Sequence, residues 1–352
     1  MRRRLRILAG FIIGAVFIVW FASRLDWPKV WADLVSANHT LIGIAVILIS
    51  TTYLIRSFRW RTLLSPMGKA GIGQLYASNA IGFAAIFLLG RGGEFVRPVI
   101  ASVRAKIKFT ATLATILIER VFDSITVGMS FSLALLFFNY NIPNSANVGI
   151  IRGLTPLALF LIALCLTGIF LLRFASRKSL ASREHTKATG IGHWIKQHLY
   201  HLVHSLVSGL QVFRNRKALI ITIGQTIILW ACAGTASYLV LVAFRINLTL
   251  TQVVFVLGFE MIGSLVPTPG GAAGAFHAAT QGALQLLGVE ANQAASCAII
   301  LHLVTFGPAL AFGLFFVLRD HISLSRLNAI SEDLSEHPDD LTVVPTDEAS
   351  LQ

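Results

Sequence analysis

Seven ionisable side chains interrupt sequence that is otherwise apolar: Arg91, Glu94, Arg97, Glu119, Arg120, Asp123 and Glu260. Charge at membrane depth is expensive, so a role in binding or transport is the first expectation for such residues. Glu94 and Arg97 are three apart and would share a face if helical. Glu119 and Asp123, four apart, share another face, with Arg120 pointing elsewhere. Two chemistries fit. The groups either neutralise one another as a structural ion-pair network, or leave surplus positive charge that holds an anionic head group. Arg91, Arg97 and Arg120 balance Glu94, Glu119 and Asp123, so a surplus requires Arg56 and Arg59. Those two end an apolar stretch at phosphate depth, where snorkelling anchors are the plain alternative.

Two glycine-rich breaks accompany these charges. GRGGEFVRP (Gly90 to Pro98) lacks the Lys-Ser/Thr of a phosphate-binding loop and follows no strand. PTPGG (Pro267 to Gly271) places Pro269, Gly270 and Gly271 at the end of an apolar run. In both, glycine lets the backbone turn sharply and approach a ligand, with freed N–H groups available to an anion. His277 follows as either a polar contact or a satisfied core histidine. A His193, His201, His204 stripe has no carboxylate or cysteine within it and argues against metal. Cys165, Cys232 and Cys297 lie in apolar sequence without CxxC spacing. No catalytic triad, HExxH or dinucleotide loop occurs, so neither a cofactor nor a metal is expected, and catalysis has little support.

The elements that must hold these residues follow from composition. The 352 residues are 55% hydrophobic and 13% charged, with a mean hydropathy of +0.73; a soluble chain carries about 25% charged residues. Uncharged stretches such as 34–55, 70–90, 124–151, 153–172, 218–244, 261–289 and 291–318 mostly reach the roughly 20 residues that a helix needs to cross a bilayer. The chain therefore reads as an all-α polytopic transmembrane bundle, which excludes a disulfide scaffold, a soluble α/β enzyme and a porin-like barrel. The net charge of +13 does not indicate nucleic acid. It gathers at Arg2 to Arg6, Arg56 to Lys69, Arg104 to Lys108, 173–217 and Arg319 onward, which the positive-inside rule assigns to the cytoplasm with both termini. The basic start before the apolar run 7–22 reads as an uncleaved anchor, because Trp20 is unsuited to a cleavage site.

The expected spans are 5–23, 41–58, 110–138, 153–172, 218–244 and 291–318, with an uncharged outer loop at 139–148. If 72–89 crossed fully, the cluster at Arg104 would be stranded outside. A re-entrant hairpin resolves this, entering from the cytoplasm, breaking at the glycines and returning through 95–103. The segments 253–266 and 272–287 form a second hairpin from the outer face, and such an inverted pair is a signature of transporters. Residues 193–213 read as an amphipathic helix within the cytoplasmic segment of about 190–214. Residues 1–318 then make one membrane domain, and 319–352 an acidic, disordered tail.

RSFRWRTLL (Arg56 to Leu64), GRGGEFVRP, ERVFD (Glu119 to Asp123) and PTPGG, in that order, resemble the membrane domain of lysylphosphatidylglycerol synthase, a flippase-like family, over about 5–318. The resemblance implies translocation of a phospholipid or glycolipid with a charged or polar head group in a bacterial inner membrane. It assigns the family's first-hairpin residues to Arg91, Glu94 and Arg97, and its Glu-Arg-x-x-Asp to Glu119, Arg120 and Asp123. Many members carry a Glu shortly after Pro-Gly-Gly, where this chain has Phe276 and His277, so the substrate is expected to differ. With 34 residues after Leu318, neither an aminoacyl-transferase domain nor synthesis of lysylphosphatidylglycerol is expected of this sequence. The competing readings are a non-transporting accessory protein that docks a lipid-modifying enzyme through 173–217, and a transferase acting on a lipid-linked sugar with Glu94 or Asp123 as base. Whether the chain forms a homo-oligomer stays open.

Overall fold

The computed structural model describes residues 25–138, 145–164 except Ala158, and 215–320 except Pro267 and Pro269, with isolated positions between 12 and 23 and Thr167. The side chains of 89–92 and 145–146 are also outside the described set, as are most of the expected first span, the amphipathic segment 193–213 and the tail.

Every regular element among the described residues is helical. Four helices are long and apolar enough to cross a membrane: His39–Leu64, Asn147–Leu164, Arg216–Ala243 and Ala291–Arg319. The chain is a multi-pass helical membrane protein. In order, α1 is Trp27–Ser36, α2 His39–Leu64, α3 Ile72–Leu89 and α4 Val96–Ala105, with a 3₁₀ turn Gly90–Phe95 between the last two. Then come α5 (Phe109–Leu136), α6 (Ser145–Gly153), α7 (Arg216–Ala243), α8 (Leu250–Ser264), α9 (Ala275–Leu286) and α10 (Ala291–Arg319). At 1.5 Å per residue, the 28 residues of α5 run about 42 Å, enough to cross, with Glu119, Arg120 and Asp123 near the midpoint.

Caps set several boundaries. Asn38 and Asn215 accept the first free backbone N–H groups of α2 and α7 through their Oδ1 atoms, and Glu290 does so for α10. Each satisfies donors that a helix start leaves open. Two elements differ from the sequence expectation. Helix α1, capped by Asp26 with proline in its first turn, fills what read as a connection, and α6 begins inside the expected outer loop. Helix α1 is too short to show membrane-length hydropathy, whereas α6 leads into the membrane-length helical run Asn147–Leu164.

Helices α2 and α7 make the most extensive pairing and run antiparallel. The backbone N–H of Asn38, before α2, donates to the carbonyl of Ala243 at the end of α7 (3.0 Å), while Leu63 near the end of α2 packs with Ala218 near the start of α7. Helices α3 and α4 fold back on each other, as do α8 and α9. The open end of the first hairpin is marked by the Gln74 amide donating to the Arg104 carbonyl (2.9 Å), and Arg104 reaches Asp320 at the end of α10. The second hairpin opens at the other end of α10, where the Gln281 amide meets the Ala291 carbonyl (3.0 Å). The closed ends meet: the N–H of Gly270 donates to the Phe87 carbonyl at 2.6 Å. Gly271 has φ +63, and a Cβ there would sit 2.9 Å from both Phe87 and Phe306, so this meeting requires glycine twice over. A Cβ on Gly93 would lie 2.3 Å from the backbone of Ala85, which is why the first turn can fold onto α3.

A large apolar cluster runs from Ala45, Ile49 and Tyr53 through Phe131, Phe255 and Phe276 to Leu301 and Val304, joining both halves. A second cluster holds Trp60, Leu64, Leu75 and Ala101 together around the first hairpin.

Candidate functional site

The expected span 41–58 proves too short. Helix α2 continues to Leu64 because Ser57, Trp60, Leu63 and Leu64 are all buried and form a packing stripe at helical spacing. That extension moves Arg59 from a supposed phosphate-depth anchor to the interior, with its side chain fully buried. A guanidinium cannot be left there without partners, and it has three. Nη1 and Nη2 donate to the two Asp123 carboxylate oxygens at 2.6 and 3.0 Å. Nη1 also donates to Thr226 Oγ1 on α7 at 3.0 Å, and Nε lies 3.7 Å from Glu119 Oε1. The two-pronged contact with Asp123 uses the planar fork that only arginine offers.

Glu119 is shared. Its other oxygen lies 2.6 Å from Nη2 of Arg97, which is buried on α4 and stacks over the Trp60 ring at 4.1 Å. Gly82 on α3 makes room for this, since a Cβ there would come within 2.5 Å of Arg97 Cβ. Trp60 is oriented by its indole N–H, which donates to Thr115 Oγ1 at 2.9 Å. Arg56 is the least buried member, with 19% of its side chain exposed. It stands 3.6 Å from Asp123 and over the Phe83 ring at 5.3 Å. Asp123 also accepts the indole N–H of Trp230 on α7 (3.1 Å). Three guanidiniums thus face two carboxylates, drawn from α2, α4 and α5.

The other expected residues scatter. Glu94 is exposed while Arg97 is buried, so the two do not share a face; Glu94 lies in the 3₁₀ turn, whereas Arg97 belongs to α4, which begins only at Val96. Arg120 is exposed, on the side of α5 away from Glu119 and Asp123. Arg91 has a described backbone in the turn, but its side chain is outside the described residues, as is all of Pro269. Gly270 and Gly271 form the second turn. His277 Nδ1 accepts the N–H of Gly274 at 3.2 Å. Its ring stacks on Phe21 (5.0 Å) and lies 4.7 Å from that of His302, whose Nε2 donates to the Gly271 carbonyl at 3.1 Å. His302 was not anticipated. It sits alone within an apolar span, and only the contact between hairpin and helix gives it a role. Trp230 was missed likewise.

Beside the ion cluster, a groove of about 650 Å³ runs between α5, α7 and α8. Trp230 on its wall connects it to Asp123; Val127, Ile227, Val254 and Leu257 are among its apolar lining residues. Among the described residues no group of His, Cys, Asp and Glu is placed to hold a metal ion.

A multi-pass helical bundle, two glycine-turned hairpins meeting tip to tip and a buried ion cluster facing them define the class. The model of the lysylphosphatidylglycerol synthase TM region matches residues 7–313, and the chain belongs to that family. It is also 26% identical over 131 residues to Glycosyltransferase AglD of Haloferax volcanii, a match covering 36% of this chain and 20% of that protein. The chain therefore corresponds to a minor part of that relative's length.

Proposed function

We propose that the protein moves a membrane lipid with an anionic or polar head group between leaflets. The head group passes the Arg56, Arg59, Arg97, Glu119, Asp123 cluster while the acyl chains stay in lipid-facing grooves. The observation that carries this reading is the excess of guanidinium over carboxylate at a buried site, with its least buried member, Arg56, beside Phe83. Family membership and the apolar groove reached through Trp230 support it. In the same reading the two hairpins are re-entrant and form an inverted repeat. The antiparallel pairing of α2 with α7, the matching order of long helix, hairpin and long helix in each half, and hairpin bases at opposite ends of α10 support that geometry. The cytoplasmic side is the one bearing Arg61, Lys69, Arg104 and Arg319, which puts both termini inside a bacterial inner membrane. No nucleotide motif occurs in the sequence, and in this reading movement is downhill or ion-coupled.

The test is reconstitution into vesicles carrying a fluorescent phosphatidylglycerol or glycolipid in one leaflet. Acceleration of its crossing, lost in Arg56→Gln and Arg97→Lys variants that remain folded, is the expected result. No acceleration of any anionic lipid overturns the reading. The likeness to a protein named as a glycosyltransferase favours a second reading, in which the chain serves a lipid-linked glycan enzyme as its membrane partner. Co-purification of such an enzyme, without lipid movement by the reconstituted protein, would establish that instead. The third reading, a transferase in its own right, requires a modified lipid to appear.

A further inference from the structure

Four carboxylates are buried among the described residues: Glu119, Asp123, Glu260 and Asp320. Three are ion-paired with arginine. Glu260, on the last turn of α8 and only 3% exposed, is not. Its Oε2 accepts the Ser237 hydroxyl from α7 at 3.2 Å, and its Oε1 has no hydrogen-bond partner among the described residues. Among the described residues, the elements packed against α8 offer no compensating cation. Helix α7 presents Ser237, with Tyr238 in the outer groove and Arg216 and Lys217 at the far end; α9 presents His277, held by Gly274 and Phe21. Helix α5 meets α8 through Phe131 against Phe255 and Phe259, while its Glu119, Arg120 and Asp123 lie two or more turns away along the helix. From α10, Cys297 is buried and uncharged, and His302 is committed to Gly271. An isolated ionised carboxylate in such surroundings is prohibitively costly, whereas a neutral carboxylic acid needs only ordinary hydrogen bonds.

We infer that Glu260 is a proton-binding site that couples proton movement to the passage of lipid. The inference rests on the transport reading above. In the closed bundle Glu260 holds a proton. When the second hairpin shifts against α7, water reaches the carboxyl, its O–H bond breaks and the proton leaves to that water; reclosure requires a proton to return. The carboxyl O–H bond breaks with its electron pair left on the carboxylate oxygen, a new O–H bond forms on the accepting water to give hydronium, and the return transfer reverses both. The position suits such a role. One turn beyond Glu260 α8 ends, and Gly263 already lies against the backbone of Phe276 and Ala275 on α9. Any displacement of the hairpin arms is therefore felt at the carboxyl. This supplies a driving ion for the ion-coupled form of the transport reading.

The experiment combines two readouts on the full chain. Difference infrared spectroscopy in vesicles of phosphatidylethanolamine is expected to show a protonated-carboxyl band at neutral pH. That band is lost in Glu260→Gln, shifted in Ser237→Ala, and changed when phosphatidylglycerol is added. In the reporter-lipid assay, a transmembrane pH gradient accelerates movement by the wild type, and in Glu260→Gln the ratio of rates with and without the gradient falls to unity while downhill movement persists. Absence of the band, or a band indifferent to lipid, overturns the inference, as does an unchanged gradient response in Glu260→Gln. If the wild type moves no lipid yet its band responds to phosphatidylglycerol, the transport reading fails and the proton site stands.

Discussion

Removing Arg59 would leave Asp123 and half of Glu119 buried without their main cation. Arg59→Met is expected to cost about 3–5 kcal/mol, the range for breaking a buried pair from one side, measured by thermal unfolding in detergent. Adding Asp123→Leu should recover part of that loss, because the orphaned carboxylate then disappears. Arg56→Gln separates binding from stability. Its partly exposed pair with Asp123 contributes about 1 kcal/mol or less, so the variant should unfold near the wild-type temperature yet bind anionic lipid weakly in a flotation assay. The sequence singled out charge within apolar runs, but the cluster the structure assembles has Arg59 at its centre and leaves Glu94 and Arg120 exposed. The charges within uncharged runs stood out, whereas Arg59 lay beside a basic cluster and read as part of it. What distinguishes Arg59 is the direction it faces, and that depended on where α2 stops.

The fold-back of α3 on α4 was expected because charge and length conflict there: 72–89 is long enough to cross, but crossing would set Arg104, Lys106 and Lys108 against the positive-inside rule. The tip-to-tip meeting of the two hairpins was not legible, since it rests on a single carbonyl, that of Phe87, accepting from Gly270. The shorter elements α1 and α6 were invisible for a different reason: each is fixed by docking, as where the Asp26 N–H donates to Asn292 Oδ1. At this scale the arms of the first hairpin must be close for Arg97 to reach Glu119. Gly82→Leu should therefore spread α3 from α4, lowering stability by about 1–3 kcal/mol, as overpacking does. It should also expose Trp60, which a red shift and increased quenching of tryptophan fluorescence would report.

Across the whole molecule, the open end of the first hairpin is tied to the end of α10 by Asp320, which receives Arg104 and Arg319. Burial opposes ionisation of Asp320, but the hydrogen bonds from Arg319 and Arg104 outweigh it and hold the carboxyl below its usual range. A depressed value in the folded state means that the tie stabilises above the unfolded carboxylate range, near 3.9, and is lost as pH falls through the lower folded value. Acid should thus loosen this end of the bundle first. Asp320→Asn should lower the unfolding temperature at neutral pH and flatten its dependence on acid, read by thermal unfolding across a pH series.

The bond from Gly270 to Phe87 has a final consequence. A peptide oxygen stripped of its donor inside a hydrocarbon slab is intolerable unless moisture takes the donor's place. In the proposed re-entrant geometry, parting the two tips therefore demands that wetting and separation happen together, so that the gap between them is shut and dry or ajar and flooded.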